Sequence, residues 1–146
     1  MRIVIQRVKK ASVTIDNHLF SSIGNGLLVL VGITHNDTQK EADYLARKIS
    51  NTRIFNDENG IMNKSVLDVN GEILVVSQFT LYANTKKGNR PSYIEAASPE
   101  TAKPLYQYFV SQLKAITGKS IQTGLFGAHM VLDLQNDGPV TIIMET

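Results

Sequence analysis

The chain contains no cysteine and no tryptophan. Without cysteine there is no disulfide, no thiolate nucleophile and no Cys-ligated zinc site. That absence also suits a reducing compartment. No apolar run approaches the roughly 20 residues of a membrane-spanning helix, so no membrane partner is expected. The opening Met1-Arg2-Ile3-Val4 alternates at once, with no basic region ahead of an apolar stretch. A signal peptide is therefore not expected, and the cytoplasm is the default location. Charge of one sign is scarce as well: the net charge is +2 over 146 residues. Such a balance permits contact with a polyanion without requiring it, and any RNA contact must come from locally concentrated basic residues. The three histidines, His18, His35 and His129, have no metal-ligand spacing. No Walker loop, GxGxxG or GxSxG occurs, so neither metal nor cofactor is expected. Repeats, low-complexity tracts and long linkers are also missing. At 42% hydrophobic and 19% charged, residues 1–146 are expected to form one globular domain.

What is present reads as strands and two helices. Arg2 to Val8 and Ala11 to Ile15 alternate as two strands, and Asp16-Asn17 is a hairpin turn into His18 to Ile23. Gly24-Asn25-Gly26 reads as a second turn whose glycines can take positive φ. Leu27 to Ile33 is a strand apolar on both faces. Thr38 and Glu41 form a capping box, and Ala42, Leu45, Ala46 and Ile49 then share one helical face. Arg53 to Phe55 and Ser65 to Asp68 read as extended, with turns at Asp57 to Gly60 and Asn70-Gly71. Glu72 to Leu81 reads as a second long apolar strand. A second helix starts at Ser98-Pro99-Glu100, buries Ala102, Leu105, Phe109, Leu113 and Ile116, and stops at Gly118. Strands follow near Ser120 to Thr123, His129 to Leu134 and Val140 to Met144. The class is α+β with a mixed or largely antiparallel sheet.

Two segments carry candidate chemistry. The strand from Glu72 turns polar at Ser77-Gln78-Phe79-Thr80. Alternation would put Ser77 and Phe79 on one face, Gln78 and Thr80 on the other. Buried hydroxyls and amides are costly unless hydrogen-bonded, so this end is either a site or a set of groups satisfied by nearby backbone. Thr80 has no histidine or lysine base near it in sequence, which makes it a poor nucleophile. A few residues on, Lys86, Lys87 and Arg90 form a loop that either holds a phosphate backbone or is simply solvated. Asn136-Asp137-Gly138-Pro139 reads, on composition, as a hairpin turn.

Ser77-Gln78-Phe79-Thr80-Leu81 and Asn136-Asp137-Gly138-Pro139-Val140-Thr141 resemble the two signature motifs of D-aminoacyl-tRNA deacylases. Ile5-Gln6-Arg7-Val8, Ala11-Ser12-Val13, Arg53-Ile54-Phe55, Arg90-Pro91-Ser92 and Gln122-Thr123-Gly124 also resemble segments of that family, and the likeness spans the chain. The resemblance implies a single domain with a barrel-like sheet core and two main helices packed on one side. It implies a homodimer with active sites at the subunit interface, tRNA as partner, and no cofactor. The reaction would be hydrolysis of the ester of D-aminoacyl-tRNA, and of glycine mischarged on tRNA. Ser77, Gln78 and Phe79 would shape the pocket, and Phe126 and Met130 would flank the terminal adenosine. Gly138-Pro139, braced by Arg7, would form a cis peptide reaching into the partner's pocket and rejecting L-amino acids. Thr80 is expected as an orienting or backbone donor group, with the Phe79 and Thr80 amides near the developing oxyanion. From charge alone, Lys86, Lys87 and Arg90 are expected on acceptor-stem phosphates. Two rival readings are a hydrolase with Thr80 as covalent nucleophile and a non-catalytic RNA-binding module.

Overall fold

The alternating segments at the amino end form one strand, β1 (Arg2–Ile15), in a computed structural model describing residues 1–146. Lys9 and Lys10 are exposed and interrupt the alternation, which is why the sequence reads as two strands. A bulge absorbs the interruption: opposite β8 (Val131–Glu145) the register slips between Val8 and Lys10. The slip exchanges the faces of the strand. Ile3 and Ile5 pack beneath the helices, whereas Val8, Ala11 and Val13 enter a second, smaller core.

Asp16 and Asn17 take φ of 49° and 63°, as a tight hairpin into β2 (His18–Ile23) requires. At Gly24-Asn25-Gly26 the expectation of left-handed glycines fails, since neither glycine has positive φ. Gly26 instead opens β3 (Gly26–Gly32), and a Cβ there would stand 1.9 Å from the Glu72 carbonyl oxygen. Close strand approach, not turn geometry, demands that glycine.

β3 runs antiparallel to β1 and parallel to β6 (Glu72–Ser77). Both strands are apolar throughout because both faces are covered. Leu27, Val29, Ile73 and Val75 meet the helices; Leu28, Leu74 and Val76 meet the smaller core. β7 (Gln122–Thr123) adds in parallel to β6, giving the order β2-β1-β3-β6-β7 with β8 on β1. β1 is long enough to take β3 and β2 in succession along one side and β8 along the other. The Ser21 hydroxyl of β2 donates to the Thr123 carbonyl at 2.8 Å, joining the two ends of this order. The sheet is therefore mixed and nearly closed, like a barrel.

The helices lie on one side of it. α1 (Gln39–Asn51) starts with the capping box of Thr38 and Glu41. α2 (Pro99–Thr117) ends at Gly118, φ 66°. Their apolar stripes, Leu45 and Ile49 with Phe109 and Leu113, are fully buried against β3 and β6. Each such side chain contributes about 1.5–3 kcal/mol of burial. Ile116 is only half-buried; Tyr106 takes the inner position. Along the chain between α1 and β6 come β4 (Phe55–Asn56) and β5 (Met62–Lys64), paired as a small hairpin.

Three further expectations change. Ser65 to Asp68 is a turn, not extended, because the Asp68 carboxylate accepts from both the Ser65 amide and its hydroxyl at 2.7 Å. The strand expected to reach Leu81 stops at Ser77, and Phe79–Tyr82 is a 3-10 helix. Asn136 to Pro139 is not a reversing turn but lies inside the continuous strand β8. The register there passes from Gln6–Thr141 to Val8–Asn136, so residues 137–140 stand out opposite Arg7 alone.

Candidate active site

The polar end of β6 is where the strand becomes a site. The Gln78 amide donates to the Val31 carbonyl at 2.7 Å, and the chain then winds into the 3-10 helix. Gly32 permits this close packing: a Cβ there would lie 3.2 Å from the Gln78 carbonyl oxygen and 3.0 Å from Leu81 Cβ. On the other side the Arg2 guanidinium donates to the Leu81 carbonyl and covers the Tyr82 ring at 4.9 Å. Burial, with the Asp37 carboxylate nearby, pushes the Tyr82 phenol up to about 12. The first backbone amide of this turn to find an acceptor is that of Leu81, on the Gln78 carbonyl. The Phe79 and Thr80 amides ahead of it belong to the open first turn.

Because the strand has ended, residues 77–80 do not alternate faces as expected. The turn brings the Gln78 side-chain amide to donate to the Thr80 hydroxyl. No histidine, lysine or carboxylate hydrogen-bonds that hydroxyl. A cavity of 590 Å³ opens here, and Ser77, Gln78 and Phe79 form one wall of it. Thr80 is outside the lining. Tyr93, Ala97 and the start of α2 at Pro99 and Ala102 form a second wall; Phe126 and Met130 form a third. The lining is mostly apolar with a few polar groups, as small-ligand sites are. Gly124 makes room for Met130, since a Cβ there would be 2.6 Å from the methionine sulfur. The Phe126 ring lies 5.8 Å from Tyr106, whose hydroxyl donates to the buried Val75 carbonyl at 2.9 Å. Burial also raises the Tyr106 phenol far above the ordinary tyrosine range.

Lys86, Lys87 and Arg90 are exposed on a loop closed by paired backbone bonds between Asn84 and Ser92. The loop is rooted beside Tyr93, at the cavity wall, and none of its cations lines the cavity.

Arg7, Gly138 and Pro139 form a separate group. Arg7 is only 6% exposed. Its Nη1 donates to the Ile54 carbonyl at 2.7 Å and to Asn56 Oδ1 at 3.2 Å. Its Nε donates to the Asp137 carbonyl at 3.2 Å and lies 3.1 Å from the Asp137 carboxylate. The Gly138–Pro139 peptide is cis, and Gly138 has φ 120°. A Cβ at Gly138 would be 2.7 Å from Val140 Cγ2 and 3.1 Å from Arg7 Nη2. Both Gly138 and Pro139 are exposed, and neither lines the cavity of its own chain.

Sequence reasoning missed Tyr93, which sits in a polar loop without periodicity, and Asn56, which meets Arg7 from 49 residues away. It gave His129 no role; His129 lines the cavity. No three His, Asp or Glu side chains converge as a metal site. No helix is long and apolar enough to cross a membrane.

The sequence model of a family described as D-Tyr-tRNA(Tyr) deacylase matches residues 4–145. A D-aminoacyl-tRNA deacylase of Parabacteroides distasonis is 60% identical over 146 residues, covering 100% of this chain and 97% of the relative. One of Bacteroides thetaiotaomicron is 61% identical over the same shares. Among solved structures, a c-Myc DNA Unwinding Element Binding Protein matches with TM-score 0.94 and 47% identity over 100% of this chain and 99% of that one. A probable eukaryotic D-amino acid tRNA deacylase matches in fold, with TM-score 0.85 and 16% identity over 98% and 97%.

Proposed function

Since this chain belongs to the D-aminoacyl-tRNA deacylase family, we propose that its cavity seats the aminoacylated 3′ end of tRNA and that a partner subunit checks the chirality. The chain is a hydrolase of the ester bond between a D-amino acid and tRNA. One observation carries the finer reading: Gly138 and Pro139 stand exposed on β8, away from the cavity of their own chain. β8 pairs only with β1, and its Val131 and Ile143 are exposed apolar groups that a second copy would cover. In such a homodimer the Gly138 and Pro139 carbonyl oxygens enter the partner's cavity. They accept from the substrate's ammonium group and leave no room for an L-side chain. Glycine has no side chain to reject, so glycine mischarged on tRNA is also a substrate.

The chemistry needs little from side chains. Water adds to the ester carbonyl carbon, and the Phe79 and Thr80 amides receive the developing oxyanion. The ester C–O bond then breaks, giving the amino acid and a free ribose hydroxyl. Ser77, Gln78 and Phe79 shape the pocket; Phe126 and Met130 flank the terminal adenosine. The Thr80 hydroxyl, engaged by Gln78, orients this turn and forms no acyl bond. Lys86, Lys87 and Arg90 contact phosphates, and the cytoplasm, where aminoacyl-tRNA is used, is the location. The second reading is nucleic-acid binding without turnover, favoured by those exposed cations and by the name of the structure that is 47% identical.

Amino acid release from matched D-tyrosyl-tRNA and L-tyrosyl-tRNA, with chelator present, separates these. Release of D with L spared is expected. Equal release of both removes the chiral gate, and release of neither leaves the binding reading.

A further inference from the structure

Two residues of the cavity wall, Phe79 and Tyr93, and the adjacent Ile94 keep apolar side chains exposed to solvent. The Phe79 and Tyr93 rings meet edge to face, 5.2 Å apart and 74° inclined. Phe79 is 57% exposed, Tyr93 38%, and the neighbouring Ile94 81%. Such an exposed apolar rim beside a polar loop marks a contact surface. The segment carrying it is held by backbone. The Thr34 hydroxyl donates to the Glu95 carbonyl, His35 Nε2 donates to the Ile94 carbonyl at 2.8 Å, and the Ala97 amide donates to Ile33 at 2.9 Å. Tyr93 and Ile94 therefore project from a segment that is anchored without their side chains.

The cations lie on the adjoining loop. Lys86, Lys87 and Arg90 project from the loop whose closing bonds, Asn84 to Ser92, end one residue before Tyr93. Exposed aromatic faces next to clustered cations are the chemistry that holds single-stranded nucleic acid: rings take the bases, cations the phosphates. We propose that the Phe79–Tyr93–Ile94 rim is a stacking platform for the unpaired nucleotides that precede the terminal adenosine of the substrate. This rests on the proposed seating of that adenosine in the cavity, because the strand must then leave across the mouth. Stacking accepts any base, since every base has a π-face. Recognition here is therefore blind to tRNA identity, and selectivity is left to the chirality of the amino acid.

A two-by-two experiment tests this. Wild type and Tyr93→Ala act on a D-tyrosyl minihelix RNA, either intact or lacking the bases just before the terminal adenosine. On intact substrate Tyr93→Ala lowers kcat/KM roughly 5- to 100-fold, chiefly through KM. Removing the bases lowers wild type by a similar factor, and Tyr93→Ala then adds no further loss. Tyr93→Phe restores the dependence on the bases. Losses that multiply, an equal loss on both substrates expressed in kcat, or no loss on intact substrate would each overturn the platform. If wild type releases no D-tyrosine from intact substrate, the seating itself is wrong and the platform falls with it. Normal wild-type turnover with independent losses overturns the platform alone.

Discussion

Replacing Arg7 with methionine keeps much of the side chain's length and removes its charge and its donors. The Ile54 carbonyl, a buried acceptor, loses a charged donor at 2.7 Å. Hydrogen bonds to charged groups contribute about 1.5–3 kcal/mol, so this bond dominates. Asn56 and Asp137 are reached by water and lose less, about 0.5–1 kcal/mol each. The Asp137 carboxylate keeps Lys9, 3.5 Å away, and is not left without a cation. Together these give about 2.5–5 kcal/mol. For a chain of this length that lowers Tm by roughly 5–20 °C. Urea denaturation should show the midpoint falling with the slope unchanged. Arg7→Lys keeps the charge and one donor and should fall between. At a temperature where the variants are folded, release from D-tyrosyl-tRNA should drop, because residues 137–140 lose their brace. A stability change below about 1 kcal/mol, or normal D-release with L spared, would refute Arg7 as the group that positions Gly138-Pro139.

Gly26→Ala drives a Cβ into backbone, 1.9 Å from the Glu72 oxygen, and should cost more than about 3 kcal/mol or abolish soluble protein. A variant as stable as wild type by denaturation would contradict that packing. Tyr106→Phe removes a donor from the Val75 carbonyl, which keeps the Gly124 amide at 3.0 Å, so the cost should stay near 0.5–1.5 kcal/mol, roughly. The Tyr82 and Tyr106 phenols hold their protons above the ordinary value of 10.0. Above that pH the unfolded chain gives up protons that the folded chain keeps, so stability falls as pH rises from the ordinary value through the folded one. Tyr82→Phe should flatten this alkaline slope in a pH series of denaturation curves; an unchanged slope would contradict the assignment. Thr80→Ala should slow release by no more than about ten-fold, the scale of one hydrogen bond. A loss of several thousand-fold, with an acyl adduct on wild type by mass spectrometry, would make Thr80 the nucleophile after all.

Local order and family were legible in the residues themselves. The capping box of Thr38 and Glu41, the Asp16-Asn17 hairpin and the Gly118 stop depend on groups a few residues apart, and all formed as read. The apolar runs at Leu27 and Ile73 likewise announced strands covered on both faces. The two motifs, Ser77 to Leu81 and Asn136 to Thr141, were enough to point to the deacylase family. Tertiary structure decided whatever rests on distant partners. Pairing with β8 fused two strand segments into β1, and pairing with β1 carried β8 straight through Asp137-Gly138-Pro139. Packing of the 3-10 helix over Gly32 ended β6 at Ser77 and broke the expected alternation. Tyr93 became a cavity wall because Thr34, His35 and Ile33 tie its segment to the end of β3. Propensity and capping act over a turn or two of chain, whereas register, close backbone approach and cavity walls are set by contacts that exist only once remote segments meet.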